Sequence, residues 1–257
     1  MIAPLRAILK IILLILWSIP LVITQVIVLL FHKGPGAYFV PQFWHRGVSF
    51  IIGLKTEVDG VPPTTEQVIF VSNHLSYLDI FAIGSTLRAS FIAKEEIANW
   101  PVIGFLSKVQ QTAFISRNSN QAKNVANSLA NMLKEGKSLI LFPEGTSTSG
   151  HTMLAFKSSL FSLAWQPDRS ALPVQPFTLK LLKIEGKTPD PSPTGHDLYA
   201  WYADMDFAPH FWDFLCARGA TVRLTFHPVI QPAPEHDRKI LAQLAFQAVN
   251  AGLTSNP

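Results

Sequence analysis

The hydrophobic positions of this chain fall into blocks whose length and period separate helices from strands. Residues 11–31, IILLILWSIPLVITQVIVLLF, carry no charge across 21 positions. As a helix this block would be roughly 31 Å long, about the hydrocarbon thickness of a bilayer. Pro20 near its middle predicts a kink, with Ser18 and Thr24 available to the freed backbone groups. In AYFVPQFWHRGVSFIIGL, 37–54, Phe39, Phe43, Val48 and Ile51 recur at three- and four-residue steps with His45 and Arg46 between them, as suits a helix lying in a membrane interface.

Beyond residue 54 the blocks shorten. KTEVDGVPP, 55–63, reads as a strand and turn, and Val68 to Val71 as a buried strand with a helix starting near Ser76. Strands follow around 90–93, 112–116, 138–142, 171–181 and 221–230. Between them, 119–137 is a helix with Ala122, Val125, Leu129, Met132 and Leu133 on one face and Gly136 as its stop, and 237–251 is an amphipathic helix. KTPDPSPTGHD, 187–197, is an exposed loop, and the aromatic stretch 199–215 reads either as core or as a rim touching membrane. The fold predicted is α/β, a mixed central β-sheet flanked by helices. An N-terminal membrane-anchoring helix pair occupies 1–54 and the α/β domain 55–257.

Composition sharpens the membrane reading. Of 257 residues 48% are hydrophobic and 15% charged, more apolar than a soluble enzyme needs. The net charge of +4 is uneven, because residues 1–56 hold Arg6, Lys10, Lys33, Arg46 and Lys55 and no acidic group. Basic residues among aliphatic runs point to anionic lipid headgroups, and without any recognisable nucleic-acid module they exclude a nucleic-acid partner. A secretory signal is the competing reading of the N-terminus, but the run is too long and lacks a small-residue cleavage site. Cations flank the run on both sides, so charge gives no vote on orientation. The single cysteine, Cys216, forms no internal disulfide and reads as apolar filler.

The candidate chemistry lies where two strands end. VIFVSNHLSYLD, 68–79, places His74 at the end of one strand and Asp79 five residues on. A carboxylate on one imidazole nitrogen leaves the other free to take a proton from an alcohol, although the same spacing also fits a His and an Asp that merely cap a helix. SLILFPEGTSTSG, 138–150, repeats the design and delivers Glu144 to a second strand end. Two such ends would converge at the carboxyl edge of one sheet.

NHLSYLD at 73–79 and FPEGT at 142–146 resemble the marks of the glycerolipid acyltransferase family typified by 1-acylglycerol-3-phosphate acyltransferase, with FISR at 114–117 and LPVQP at 172–176 similar to two weaker blocks in the same order. The resemblance covers roughly residues 55–180 and implies a membrane-bound O-acyltransferase. In it His74, oriented by Asp79, deprotonates a lysolipid hydroxyl that attacks an acyl-CoA or acyl-carrier-protein thioester, co-substrates rather than cofactors. It implies substrate contacts from Asn73, Arg117, Glu144, Gly145, Thr146 and Lys157, with Arg117 on the acceptor headgroup and Asn73 or the FPEGT turn at the oxyanion. The expected place is the inner membrane with the active domain facing the cytoplasm.

The favoured acceptor is 1-acyl-sn-glycerol 3-phosphate, giving phosphatidic acid. Many members continue FPEGT with Arg-Ser, whereas this chain has Ser147 and Thr148, so one cation of a phosphate site is missing unless Lys157 replaces it. That departure keeps a lyso-ornithine lipid as the alternative acceptor. A catalytically silent lipid-binding membrane protein is the alternative from another class. GTSTSG, 145–150, misses the G-x-S-x-G spacing of a hydrolase by one place, and the histidines show no metal-ligand spacing.

Overall fold

A computed structural model describes residues 2–63, 66–116, 122–165 and 171–254. The elements in chain order are α1 (Ile2–Phe31), α2 (Phe39–Ile52), β1 (Leu54–Asp59), β2 (Ile69–Val71), α3 (Leu78–Thr86), β3 (Ser90–Lys94), α4 (Ile103–Val109), β4 (Ala113–Ile115), α5 (Ala122–Lys134), β5 (Leu139–Leu141), β6 (Val174–Ile184), α6 (Phe207–Cys216), β7 (Ala220–Phe226) and α7 (Arg238–Thr254). The strands form one seven-stranded sheet in the order β1-β7-β6-β2-β5-β3-β4. β6 to β4 run parallel, and β7 meets β6 antiparallel with β1 parallel to β7 beyond it, so the sheet is mixed.

Side-chain alternation divides the core into two layers. Phe70 and Ile140 face one side with residues of α1, α2, α3 and α6, while their neighbours Ile69, Val71, Leu139 and Leu141 face the other side with α5, α7 and a 3₁₀ turn at Ser158–Ala164. Strands covered on both faces need apolar residues at every position, which is why β2 and β5 read as short unbroken hydrophobic runs. β7 alternates instead, buried at Ala220, Val222, Leu224 and Phe226.

The expected N-terminal apolar helix is present as α1. It runs unbroken through Pro20, with the Thr24 hydroxyl donating to the Pro20 carbonyl at 2.9 Å. It lies lengthwise along the rest of the protein. Lys10 Nζ donates to the carbonyls of Ile52 and Ala217, each at 2.8 Å, and Arg6 Nη1 to that of Cys216 at 2.9 Å. These two cations, read from sequence as headgroup ligands, instead cap the carbonyl ends of α2 and α6, where the helix dipoles favour positive charge. Farther along, Trp17 Nε1 donates to the Trp44 carbonyl, Trp44 Nε1 to Ser18, and Gln25 to the carbonyls of Ala37 and Val109.

α2 ends at Gly53, whose left-handed φ of 83° turns the chain into β1. A Cβ there would collide with the Arg218 carbonyl, so a glycine is required on both conformational and steric grounds. The buried face of α2 includes His45, packed beneath Phe81 and Phe91. Burial pushes its imidazole down to about 4, so the ring packs as a neutral aromatic.

Candidate active site

Register, more than any single side chain, assembles this site. β2 and β5 pair in parallel with Val71 opposite Leu141, and His74 and Glu144 each lie three residues past those partners. Equal offsets from a shared register bring the two chain ends side by side at the carboxyl edge of the sheet. The His74 backbone N–H donates to Glu144 Oε1 at 2.8 Å, and the Thr148 N–H donates to the His74 carbonyl at 2.9 Å.

The His74 ring stands on Asp79. Nδ1 lies 2.8 Å from Asp79 Oδ2, and the same oxygen accepts the N–H groups of Leu75 at 2.7 Å and Ser76 at 3.0 Å. Asp79 is in the first turn of α3, which curls the NHLSYLD segment back on itself. An ionised carboxylate only accepts, so the imidazole proton sits on Nδ1 and Nε2 carries the lone pair. Nε2 has no hydrogen-bond partner among the described residues, and the side chain is 20% exposed whereas Asp79 is 0% exposed. Phe142 stacks flat on the imidazole, its centroid 4.1 Å away, and limits the ring's rotation. A histidine so held can take a proton from a hydroxyl presented at Nε2.

Two residues expected to touch substrate also bond the backbone around them. Asn73 Nδ2 donates to the Leu179 carbonyl and Asn73 Oδ1 accepts the Leu179 N–H, both at 2.9 Å, so its amide splices the end of β2 into β6. Pairing both ends of a buried amide with one backbone unit gives the Asn73 side chain a structural task in the sheet. Glu144 is likewise engaged: Oε1 takes the His74 N–H, Oε2 takes the Leu154 N–H at 2.7 Å, and only 2% of the residue is exposed. Burial raises its carboxyl above the ordinary range while those two donors and His74 oppose the shift. Glu144 therefore fixes the backbone of His74 and the loop at Leu154.

Asn73→Ala follows from this as a stability change with little effect on substrate affinity. Losing the two buried hydrogen bonds to Leu179 and stranding its backbone groups should cost about 2–3 kcal/mol in unfolding free energy, read by denaturant titration, with acceptor KM unchanged. A raised acceptor KM at unaltered stability would restore Asn73 to the substrate.

Gly145, Thr146 and Lys157 make the exposed lip of the second strand end. Gly145 adopts φ 73° as its N–H bonds the Phe142 carbonyl, and Lys157 N–H bonds the Pro143 carbonyl. A Cβ on Gly145 would fall 2.6 Å from Lys157 Nζ, so the missing side chain is what lets that ammonium lie over the turn. Arg117, the expected headgroup ligand, lies outside the described residues.

The sequence reading missed Tyr199. Its hydroxyl donates to Asp79 Oδ1 at 2.8 Å from a residue 120 positions away, and it is fully buried. The Trp201 N–H also donates to the Leu75 carbonyl at 2.9 Å. The density of aromatics in this stretch signalled burial but gave no hint of which hydroxyl meets the carboxylate.

Comparison with known proteins relates this chain to acyltransferases. A family model described as Acyltransferase covers residues 55–180. The chain is 35% identical over 205 residues to a lyso-ornithine lipid O-acyltransferase of Rhodobacter capsulatus, covering 79% of this chain and 71% of that protein. It is 32% identical over 209 residues to the 1-acyl-sn-glycerol-3-phosphate acyltransferase of Neisseria meningitidis, covering 80% and 77%. The crystal structure of the 1-acyl-sn-glycerophosphate acyltransferase PlsC from Thermotoga maritima shares the fold with a TM-score of 0.67 over 96% of each chain at 19% identity. With the His74–Asp79 pair and the FPEGT turn at one sheet edge, and with relatives that acylate lysolipids, this chain belongs to the glycerolipid acyltransferase family and is an acyltransferase.

Proposed function

We propose that His74 is the general base of a lysolipid O-acyltransferase, and the observation that carries this is the 2.8 Å contact from Nδ1 to the fully buried Asp79. Nε2 removes the proton of the acceptor hydroxyl as its oxygen attacks the thioester carbon of an acyl-CoA or acyl-carrier-protein. The C–S bond breaks as the C–O ester bond forms, and the imidazolium returns the proton to the departing thiolate. Asp79 stabilises that imidazolium and fixes the tautomer that accepts the proton at Nε2. Gly145, Thr146 and Lys157 border the acceptor headgroup, with Lys157 as its cation.

The acceptor supported best is a lyso-ornithine lipid. Ser147 and Thr148 follow FPEGT without adding a cation, and lyso-ornithine lipid O-acyltransferases from Rhodobacter capsulatus and Brucella abortus are 35% and 32% identical to this chain. A 1-acyl-sn-glycerol 3-phosphate is the second reading, favoured by the Neisseria relative and by FISR at 114–117. The full chain in vesicles, given labelled acyl donor and each acceptor in turn, decides between them. A higher kcat/KM for the lyso-ornithine lipid is expected, and preference for the phosphate acceptor would reverse the assignment.

α1 is long and apolar enough to cross a membrane. Its contacts favour a different placement. From Arg6 to Gln25 it is tied to the domain over about 28 Å, so the helix runs beside the protein and its opposite face, with Leu9, Leu16, Ile23, Leu30 and Phe31 exposed, points away from it. Phe39, Phe43 and Phe50 of α2 and Phe105 of α4 are exposed as well. Together they support an enzyme seated in one leaflet through this helix face, with the site turned to the cytoplasmic side where its thioester donors are found.

A further inference from the structure

The stretch between β6 and α6, residues 185–206, crosses over the NHLSYLD segment and is fastened there at three points. The Tyr199 hydroxyl bonds Asp79 Oδ1, and the Trp201 N–H bonds the Leu75 carbonyl. The third is a relay through His210 of α6. Its Nε2 lies 3.0 and 3.1 Å from the carbonyls of Asp197 and Ala200, which can only accept, so the proton is on Nε2 and Nδ1 accepts the Tyr77 hydroxyl at 2.8 Å. Tyr77 belongs to the catalytic segment and Asp197 and Ala200 to the crossing stretch, so His210 stitches one to the other. Rings of Tyr77, Trp201, Phe207 and Phe211 pack around the stitch at centroid separations of 4.8 to 6.4 Å.

From these contacts we infer that Tyr199 is a positioning residue for acyl transfer: its hydroxyl fills the Asp79 oxygen that His74 does not use and sets how strongly the His74–Asp79 pair holds a proton. The inference rests on the general-base role proposed for His74. Asp79 Oδ2 is already shared by three donors, and Tyr199 is the donor on Oδ1. A donor on that oxygen stabilises the carboxylate charge, so the carboxylate pulls less strongly on the imidazole proton. Withdrawing the donor raises the proton affinity of the coupled pair. Among the described residues, the other titratable groups facing the pair are Glu144, whose carboxyl interacts with both members, and Tyr77, which interacts with Tyr199. Tyr199 itself stays protonated, because burial and the Asp79 charge drive its hydroxyl far above its usual range.

The test uses full-length protein in vesicles, with kcat/KM for acyl transfer followed against pH. In Tyr199→Phe, kcat should fall about ten-fold with the KM of donor and acceptor unchanged, and the acid limb should move up by about half a pH unit or more. A merely structural tyrosine would lower thermal stability and leave the acid limb in place, and an unmoved limb overturns the inference. Should Tyr199→Phe fail to fold, 3,5-difluorotyrosine placed at position 199 keeps the shape and makes a stronger donor. The limb should then move to lower pH, and no movement again overturns the inference. His74→Ala run alongside separates the two readings: if it remains active, the base assignment falls and takes this one with it, whereas an inactive His74→Ala beside an unshifted Tyr199 variant removes only the present inference.

Discussion

His74→Ala should lose acyl transfer by about 10²- to 10⁴-fold, the usual worth of a positioned general base, while keeping its fold and its hold on membranes. The imidazole contributes one side-chain hydrogen bond and one ring stack, and Asp79 keeps its bonds from Leu75, Ser76 and Tyr199 when the ring is gone. The exposed faces of α1 and α2 are untouched by the change. Labelled acyl transfer measured beside vesicle flotation checks both halves. A variant that transfers normally, or one that is inactive because it no longer folds, would not fit the account.

Asp79→Asn is the second large effect, and it should strike activity and stability together. Asp79 accepts four hydrogen bonds with no exposed surface, three of them on Oδ2. An amide has one acceptor oxygen, so in either orientation its NH₂ confronts at least one donor, the Tyr199 hydroxyl or the cluster at Oδ2. With oxygen toward Leu75 and Ser76, the amide still cannot stabilise an imidazolium as a charge does. With oxygen toward Tyr199, it selects the wrong imidazole tautomer. Transfer should drop by about 10²-fold or more, and unfolding should become easier by about 3 kcal/mol, close to 10 °C in Tm for a chain of this size. An Asp79→Asn enzyme with wild-type Tm and wild-type rate would show that the carboxylate is only a helix cap.

Much of this was legible because strands buried on both faces must be apolar and must stop where polar residues begin. Val68 to Val71 and Leu139 to Leu141 announced β2 and β5, and the residues just beyond them announced the site. The mixed sheet with flanking helices follows the same logic. The hydrogen-bond bookkeeping was not legible. Asn73 and Glu144 carry the functional groups of substrate ligands, and they also bond backbone N–H and C=O groups of Leu179, His74 and Leu154, partners that no local spacing in the sequence reveals. Tyr199 was hidden for the same reason, since its contact with Asp79 spans most of the domain and no local spacing encodes it. Arg6 and Lys10 misled through their surroundings: among aliphatic residues they read as lipid ligands, but two helix ends supply them with carbonyls.

In the proposed mechanism His74 moves a proton and never carries the acyl group. The most direct measurement is to mix the enzyme in stoichiometric amount with labelled acyl donor, quench before and after adding lysolipid, and locate the label. Label that stays on the thioester until the acceptor arrives, and then passes straight into lipid, is the predicted result. Acyl bound covalently to His74 or any other residue before the acceptor is present would contradict it.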